Sequence, residues 1–305
     1  MIRIGIVGAE NSHSAAIGRT VNIQKLVPGA RVVAIWGETD EFAQKAAEAG
    51  QIPTIVRRPE QMLGMVDAVV VDHRHAKCHL PAAQAFLKAR LPMFIDKPFC
   101  YRLAQGRRFL AYARRLGVPV TSYSSLPTQQ SFADLKRRLA KAGEIRALTT
   151  AGPVDLESAW GGVFFYGIHQ VDMIVDILGG DVRAVSVARG PQPRCIAVGD
   201  PRARHAKNAV AHLFYADGRV AVMHCLESGS AGFQVSATTD AGSVAARVEM
   251  DQNPYVNSTR TFVRMFKTGV EPLSHERILQ PVAILEALEK AVKTGKLDVP
   301  VARTV

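Results

Sequence analysis

Short runs of β-branched and apolar residues alternate with helical patterns through the first 122 residues, and this alternation constrains the fold most strongly. The runs predict strands at Ile2–Val7, Arg31–Trp36, Asp67–Val71 and Met93–Ile95, with helices between them. The predicted strands are apolar on both faces, which is typical of parallel strands that helices cover from both sides. The sequence therefore predicts an α/β domain with a doubly wound parallel sheet over residues 1–122.

After residue 122 the pattern changes to longer strands in which apolar and polar residues alternate. The strands predicted here are Val182–Arg189, Asn208–Tyr215, Arg219–Glu227 and Gln234–Thr239. Asp217-Gly218 between the middle two is a strong signal for a hairpin turn. Residues 123–305 are therefore predicted to form an α+β domain with a large, mostly antiparallel open sheet.

Composition excludes several classes of function. The net charge is +11, but the basic residues are scattered and aromatic residues make up only 7%, so we expect no nucleic-acid partner. No run approaches the ~20 apolar residues of a membrane span, and the first residues lack the features of a secretory signal. The four cysteines form no CxxC pair, which suits a reducing compartment. We expect a cytoplasmic protein without a membrane partner.

The segment from Gly8 to His13 stands where a dinucleotide-binding (Rossmann) domain has its GxGxxG phosphate turn, between the first strand and the first helix. Only Gly8 of the three glycines is present. Glu10 replaces the second glycine and adds bulk and negative charge, which disfavour a pyrophosphate. Asn11 and Ser12 can cap the helix and present donors, and His13 can add another. The topology favours nucleotide binding more than the motif does, and plain helix capping is the alternative.

Glu38 follows the second predicted strand, where an acidic residue usually binds the adenosine ribose. No arginine follows directly to hold a 2′-phosphate. The sequence therefore favours NAD as the cofactor, without excluding NADP.

Four further motifs are shared with one family. They are Asp96-Lys97-Pro98 after the predicted strand Met93–Ile95, Lys141–Ile145 with its Gly-Glu-Ile turn, Gly161-Gly162 followed by Gly167–Asp172, and the closing segments Phe262–Lys267 and Ile284–Lys296. In this order they resemble the Gfo/Idh/MocA oxidoreductases, of which the chain looks like a divergent member. The resemblance implies an NAD(P)-dependent dehydrogenase that acts on a CH–OH group of a sugar, polyol or hydroxy-acid-like molecule. It also implies that residues 123–305 bind substrate and form a homodimer or homotetramer through the open sheet.

The resemblance assigns roles to individual residues. Lys97 would lie beside the nicotinamide and bind the reacting oxygen, and Asp96 before it would help to hold the cofactor. His169 would be the general base, with Asp172 one turn later orienting its ring. The family carries an aspartate four residues before this histidine, and the chain has Phe165 there instead. The absence of this aspartate argues against polyol oxidation more than it argues against the predicted fold.

Aromatic residues surround that position. Tyr166 could donate a hydrogen bond in place of the missing aspartate, although it points in another direction around the helix. Trp160 precedes the Gly-rich helix. We predict that Trp160, Phe165 and Tyr166 contact the substrate together with His169 and Lys97.

The resemblance implies that the loop Asp72–His79 lines the nicotinamide pocket. The sequence of this loop departs from the family pattern. We predict that His73 and His75 contact the cofactor, and that Arg74 binds an anionic substrate. His79 fits the family's own histidine. Three histidines, a cysteine and an aspartate also allow a metal site, but spacing alone does not bring ligands together, so we assign no metal ligand.

Three functions therefore stay open. The leading one is the dehydrogenase. A ligand-binding or regulatory protein on the same scaffold is the alternative. Glu10 disfavours binding of the pyrophosphate, and Phe165 stands in place of the family aspartate, so both argue against catalysis. A metal-assisted lyase or hydrolase that uses the His73–His79 loop is the third.

Overall fold

The computed structural model describes residues 1–189, 207–227 and 232–304. The chain forms two compact units, Met1–Ser125 with Gln252–Leu279, and Leu126–Asp251 with Gln280–Val305. The division of the sequence at residue 122 placed 252–279 in the second domain, whereas in the structure this segment belongs to the first unit. Of the four cysteines, Cys195 lies outside the described residues, and Cys78, Cys100 and Cys225 are free thiols.

The first unit contains a six-stranded parallel sheet with the order β3-β2-β1-β4-β5-β6. Its strands are β1 (Ile2–Val7), β2 (Ala30–Trp36), β3 (Thr54–Ile55), β4 (Ala68–Val71), β5 (Met93–Ile95) and β6 (Val120–Thr121). Every residue of β4 and β5 is buried, as expected for central parallel strands covered on both faces. The predicted doubly wound sheet is confirmed.

Four helices alternate with these strands, namely α1 (Ser12–Gly18), α2 (Asp40–Gly50), α3 (His79–Lys88) and α4 (Leu103–Leu116). After α1 the chain continues as a π-helical turn, Arg19–Ile23. Helices α1 and α2 cross where two glycines meet, because a Cβ on Gly18 would lie 2.9 Å from the Cα of Gly50. This close crossing holds α1, and the turn before it, at the end of β1.

The second unit contains a seven-stranded sheet with the order β12-β11-β7-β10-β9-β8-β13. Its strands are β7 (Ile145–Pro153), β8 (Val182–Arg189), β9 (Ala209–Tyr215), β10 (Val220–Leu226), β11 (Phe233–Thr239), β12 (Gly242–Val248) and β13 (Val299–Pro300). Only β7 and β10 pair in parallel, so the prediction of a mostly antiparallel sheet is confirmed. The predicted Asp217-Gly218 turn joins β9 to β10, with Gly218 at φ +88°.

Helices α5 (Gln130–Leu139) and α6 (Val163–Leu178) also belong to the second unit. One buried amide fixes α6 against the sheet. Gln170 accepts a 2.7 Å hydrogen bond from the hydroxyl of Thr150 and donates to the carbonyls of Gly152 and His224 at 3.2 and 3.1 Å. These contacts fix the register of α6 on β7 and β10, and with it the direction in which the preceding residue, His169, points.

Helix α7 (Val256–Thr268) explains why the late segment joins the first unit. The ring of Phe262 stacks on Phe94 of β5 at 4.7 Å, and the hydroxyl of Tyr123 donates to the carbonyl of Ser258 at 2.8 Å. The chain then continues as α8 (His275–Thr294), in which Ile284, Leu285 and Leu288 are buried at the predicted helical spacing. No helix in the described ranges has both the length and the apolar character that a membrane crossing requires.

Replacing Phe262 by alanine tests the assignment of α7 to the first unit. Phe262 is 1% exposed, so the cavity and the lost ring contacts should lower the free energy of unfolding by about 3–5 kcal/mol. Urea denaturation measures the change. Leu297→Ala is the control, because Leu297 is 72% exposed and its truncation should cost less than about 0.5 kcal/mol. Equal effects of the two variants would contradict this packing.

Candidate active site of a dinucleotide-dependent enzyme

The predicted site residues of the first unit lie at one edge of its sheet. Strand order places β1 next to β4 and β4 next to β5, so the residues after these three strands are neighbours. They are the turn Gly8–His13, the pair Asp72-His73 and the pair Asp96-Lys97. Ligands of open α/β sheets bind at this carboxyl edge.

Gly8 is the one position of the turn where glycine is required. Its φ is +112°, and a Cβ there would lie 2.7–2.8 Å from backbone atoms of Asp72 and His73. The amide of Gly8 also donates to the carbonyl of Trp36 at 3.0 Å. The turn thus crosses directly over the end of β4, and no side chain fits between them.

Glu38 is bound to the turn itself. Its Oε2 accepts the backbone amides of Ala9 and Glu10 at 2.8 and 2.9 Å. Its other oxygen, Oε1, is buried and has no hydrogen-bond partner among the described residues. Glu38 therefore anchors the phosphate turn, and Oε1 is an acceptor that a ligand hydroxyl could satisfy.

Glu10 is half-buried in the same turn. Burial, followed by the charge of Glu38, raises its pKa, and the charge of Arg74 opposes this rise. The two acids repel each other where a dinucleotide would place its phosphates. Arg74 is thus close enough to partly balance Glu10, and the anionic substrate predicted for it stays a prediction.

Asn11 holds the site together through its side-chain amide. It occupies the N-cap position of α1 without making a side-chain cap, so the expectation that it caps the helix is wrong. Its Nδ2 instead donates to Asp72 Oδ1 at 2.9 Å and to Asp96 Oδ2 at 3.1 Å. Two carboxylates buried at the strand ends outcompete the helix for this donor. Ser12 is exposed as the first residue of α1.

His13 stands where the third glycine of the usual motif would be. Its Nδ1 lies 3.2 Å from Asp96 Oδ1 and 3.7 Å from Asp72 Oδ1. The ring packs on Tyr255 with 5.0 Å between centroids. His13 therefore connects the turn to the Asp-Lys-Pro motif rather than only packing helix against strand.

Asp72 and Asp96 have opposite electrostatic character. Burial and the neighbouring charge of Asp96 raise the pKa of Asp72 well above its ordinary value, against the influence of Lys97. Burial also penalises the charge of Asp96, but His13 and Lys97 outweigh it and lower the pKa of Asp96 well below its ordinary value. The two neighbouring carboxyls therefore have pKa values shifted in opposite directions, and Asp96 is the more acidic of the two.

Lys97 follows the end of β5 by two residues and is 7% exposed, with its Nζ 3.8 Å from Asp96 Oδ2. The Lys97-Pro98 peptide bond is cis. A buried ammonium with one carboxylate close by is a directed positive charge at the edge where ligands bind. Such a charge can polarise a carbonyl or stabilise an alkoxide.

The histidine loop does not assemble a metal site among the described residues. The ring nitrogens of His79 lie 2.9 and 2.8 Å from the carbonyls of Pro98 and His73, and His75 Nδ1 accepts the amide of Lys77 at 3.2 Å. Burial, and then the charge of His79, lowers the pKa of His73 to about 4, so His73 is neutral at pH 7. The lyase or hydrolase hypothesis therefore loses its ligand set.

One other group of ligand-type residues converges in the described chain, namely His13, Asp72 and Asp96. Asn11 Nδ2 lies within 3.4 Å of an atom of each of the three. The ammonium of Lys97 adds a positive charge 3.8 Å from Asp96. The amide nitrogen occupies the place of a cation, so this donor set does not fit a metal ion.

In the second unit, His169 lies in α6 within a group of aromatic rings. Its ring centroid is 5.6 Å from Tyr166 and 5.5 Å from Phe233. Phe165 lies 6.4 Å from Trp160 and 4.9 Å from Tyr166. The substitution of the family aspartate by Phe165 thus makes an aromatic wall beside a 7%-exposed histidine.

The turn before α6 needs its glycines. Gly161 and Gly162 have φ of +106° and +58°, and a Cβ on Gly162 would lie 2.7 Å from the carbonyl oxygen of Leu156. Asp172 is 2% exposed in the turn of α6 after His169. Its predicted role in orienting the imidazole stays a prediction.

Sequence reasoning missed three residues that shape these sites, Asp72, Tyr255 and Gln170. Asp72 was noticed only as part of the histidine loop, although an acid directly after a buried central strand is itself a signal. Tyr255 lies 242 positions after His13 in the chain, and no local pattern connects them. Gln170 is a polar residue amid an apolar helix face, which is a recognisable signal for a buried hydrogen-bonding role.

Comparison with known proteins gives a family for the first domain. Residues 2–124 match the sequence model of Gfo/Idh/MocA, described as an oxidoreductase family with an NAD-binding Rossmann fold. These residues belong to the Gfo/Idh/MocA oxidoreductase family. The resemblance inferred from the Asp-Lys-Pro motif is thereby confirmed.

Two curated proteins of Escherichia coli K12 align with part of the chain. The uncharacterized oxidoreductase YdgJ is 28% identical over 152 residues, and the uncharacterized oxidoreductase YhhX is 27% identical over 129 residues. These alignments cover 47% and 36% of this chain, and 41% and 35% of the two relatives. The chain thus matches less than half of their length.

Solved structures match over nearly the whole chain. A probable dehydrogenase from Thermotoga maritima has a TM-score of 0.80 at 18% identity, covering 98% of this chain and 99% of that one. Scyllo-inositol dehydrogenase from Lactobacillus casei, with bound NAD(H) and scyllo-inositol, has a TM-score of 0.82 at 15% identity, covering 98% and 99%. At such identities the likeness shows the fold, which includes both sheets.

Asparagine substitutions at Asp72 and Asp96 should have opposite effects on the pH dependence of stability. A carboxyl with a raised pKa stabilises the fold at low pH and loses that contribution as the pH rises above about 4. Asp72→Asn should therefore gain stability relative to wild type as the pH rises above about 4. Asp96 has a lowered pKa, so Asp96→Asn should lose stability relative to wild type as the pH rises from about 3 to 5.

Urea denaturation at a series of pH values measures both differences. Each variant is the matched control of the other, since the residues are neighbours and the substitution is the same. Parallel pH profiles of the two variants would contradict the opposite pKa shifts of Asp72 and Asp96.

Glu10→Gly should strengthen dinucleotide binding to the turn. It removes a carboxylate where phosphates approach, and a unit charge at such a surface is worth about 1 kcal/mol, or about fivefold in affinity. Titration of NADH fluorescence measures the dissociation constant. Glu10→Gln separates charge from bulk, and Glu41→Gln removes an equal charge from exposed α2. An affinity that Glu10→Gly leaves unchanged would mean that Glu10 turns away from the ligand.

Proposed function

We propose that the protein is a cytoplasmic NAD(P)-dependent dehydrogenase that transfers hydride between a nicotinamide cofactor and a CH–OH carbon of a sugar, polyol or hydroxy-acid-like molecule. The observation that carries this proposal is the buried Lys97, held beside Asp96 at the carboxyl edge of an NAD-binding Rossmann sheet.

One feature at the edge of the sheet fits a dinucleotide. The buried Oε1 of Glu38 lacks the donor that a ribose hydroxyl would supply. The carboxylates of Glu38 and Glu10 would repel a 2′-phosphate, so we propose NAD rather than NADP. When bound, the nicotinamide accepts or returns the hydride.

Further cofactor contacts follow from the same edge. We propose that the turn residues, the neutral His73 and the Asp-Lys-Pro motif face the cofactor. The residues assigned to it are Gly8, Glu10, Asn11, Ser12, His13, Glu38, His73, His75, Asp96 and Lys97.

Lys97 is the proposed electrophilic group. Its ammonium would bind the reacting oxygen, which lowers the cost of an alkoxide during oxidation and polarises the carbonyl during reduction. A buried position strengthens this effect, because the charge acts through a medium with little water.

His169 is the proposed general base, which takes the hydroxyl proton during oxidation, and Asp172 is proposed to orient it. Phe165, Tyr166 and Trp160 are proposed to contact the substrate. Aromatic rings pack well on the apolar faces of cyclic polyols, and two of the related structures are described as inositol dehydrogenases with their inositol bound. Arg74 is the proposed contact for an acidic group on the substrate.

The alternative is a ligand-binding or regulatory protein on the same scaffold. Glu10 in the phosphate turn and Phe165 in place of the family aspartate favour it. The two functions differ in one observable, because a binding protein holds the dinucleotide without reducing it in the presence of any polyol or sugar acid.

We also propose a homodimer or homotetramer formed through the sheet of the second unit. Residues alternate along β9 and β10, so that one set is buried and the other is half-buried. The half-buried set contains the apolar residues Val210, Phe214, Val220, Val222 and Leu226. We propose that a second copy of the chain covers this apolar face.

Lys97→Met should abolish turnover while leaving the fold intact. The wild-type protein is first screened with NAD and NADP against inositols, sugars and hydroxy acids, and the absorbance of the reduced cofactor is followed. Loss of the ammonium should lower kcat by about a thousandfold or more. Lys88→Met is the control, because Lys88 is an exposed lysine at the end of α3. Equal kcat for wild type and Lys97→Met would refute the assigned role.

A further inference from the structure

We propose that the substrate carries an aromatic ring, which stacks on an aromatic wall in the second unit formed by Trp160, Phe165, Tyr166 and Phe233. The ligand class is an aryl-substituted sugar or hydroxy acid rather than an unsubstituted polyol. The inference rests on the proposed function, because it names the substrate that this function would take. The wall itself depends only on the geometry of the second unit.

The rings of the wall contact one another in sequence and reach the proposed general base, His169. The ring centroids of Trp160 and Phe165 are 6.4 Å apart, and those of Phe165 and Tyr166 are 4.9 Å apart with the two rings at 88°. Tyr166 and Phe233 lie 5.6 and 5.5 Å from the ring of His169. These separations fall in the range where aromatic pairs attract each other. His169 therefore lies within a continuous aromatic surface.

The position of Phe233 is fixed by the backbone of β7. A Cβ on Gly152 would lie 2.4 Å from the Phe233 ring, so glycine is what lets this ring lie against the strand. The carbonyl of Gly152 also accepts the side-chain amide of Gln170 at 3.2 Å, and Gln170 directly follows His169 in α6. The same strand residue therefore positions one ring of the wall and the helix that carries the histidine.

The wall is accessible to a ligand at one end. Tyr166 is 41% exposed and Phe165 is half-buried, whereas Phe233 and His169 are only 9% and 7% exposed. Phe165 and Tyr166 lie four and three residues before His169, which places all three on one side of α6. Grouped aromatic residues at a surface are typical of ligand sites. A ligand ring packed on Phe165 and Tyr166 therefore lies within one helical turn of His169.

The polar side chains of the turn before α6 already have partners within the chain. Asp155 Oδ1 accepts the amide of Glu157 at 2.8 Å, and Ser158 Oγ accepts the amide of Trp160 at 3.3 Å. The carboxylate of Glu157 pairs with Arg189 at 3.0 Å. A polyol needs a hydrogen-bond partner for each hydroxyl that it buries. The described part of this turn instead presents a ring, which suits a ligand with an apolar face.

Phe165 is the residue that determines the ligand class. An aspartate at this position would accept hydrogen bonds from ligand hydroxyls one turn before His169. A phenyl ring accepts no such bond, but it gains from burying a second apolar ring and from the favourable geometry of aromatic pairs. Phenylalanine at this position therefore favours a ligand ring over a ligand hydroxyl and leaves the histidine in place.

Fluorine NMR tests the site directly, because the chain has two tryptophans, Trp160 in the wall and Trp36 in the first unit. The full chain is labelled with 5-fluorotryptophan, and Trp36→Phe assigns the two signals by the loss of one. Two matched pairs of probes are titrated with and without NAD, namely phenyl and methyl β-D-glucopyranoside, and 3-phenyllactate and lactate. The Trp160 signal should shift, and in at least one pair the phenyl member should bind about tenfold more tightly than its partner.

Variants at position 165 separate the ring from other effects. Phe165→Tyr keeps an aromatic ring and should keep the preference for the phenyl member. Phe165→Asp replaces the ring by a carboxylate and should reduce the preference to less than about threefold. Phe165→Ala takes its place if the aspartate variant fails to fold by circular dichroism, because it also removes the ring. A preference that survives unchanged in a folded variant without the ring would overturn the proposal.

Two further results would also overturn the proposal. One is the absence of a phenyl preference in both pairs of probes. The other is a phenyl probe that shifts the Trp36 signal and leaves the Trp160 signal in place. Failure of the proposed function is a separate result, because absence of dinucleotide binding or turnover in the wild type would refute the dehydrogenase, whereas phenyl-selective binding at Trp160 would stand as a property of the second unit.

Discussion

The first unit's site depends on two carboxylates that are buried side by side at the ends of adjacent strands. Two ionised carboxylates are costly in such a place, because both groups are buried and like charges lie close together. The pKa of Asp72 is raised accordingly, the amide of Asn11 donates to both carboxyls, and the side chains of His13 and Lys97 lie beside Asp96. The conformation of the phosphate turn and the charge beside Lys97 both follow from this arrangement.

This constraint also explains how a turn with one glycine keeps its shape. In the usual motif, glycines let the turn approach a pyrophosphate, and the ligand completes the hydrogen bonding. Here Glu38 accepts the amides of Ala9 and Glu10, so the turn is internally satisfied. A dinucleotide then has to bind beside a carboxylate that already occupies part of the turn, which sets a limit on its affinity.

The sequence was most informative where local pattern determines structure. The apolar runs at Ile2–Val7 and Met93–Ile95 identified the parallel sheet, and Asp217-Gly218 identified a hairpin that the structure contains. Contacts between distant residues were not predictable from such patterns. Asn11 looked like a helix cap because nothing local shows that Asp72 and Asp96 compete for its amide, and α7 joins the first unit through the stacking of Phe262 on Phe94.

The central claim is that this turn still holds a nicotinamide dinucleotide, and calorimetric titration of the purified full chain tests it most directly. Carried-over nucleotide is removed first, and NAD, NADH, NADP and NADPH are then titrated separately. We predict micromolar binding of NAD and NADH, with NADP and NADPH at least about tenfold weaker because of Glu38 and Glu10. No heat of binding with any of the four would contradict the account of the first unit as a working cofactor site.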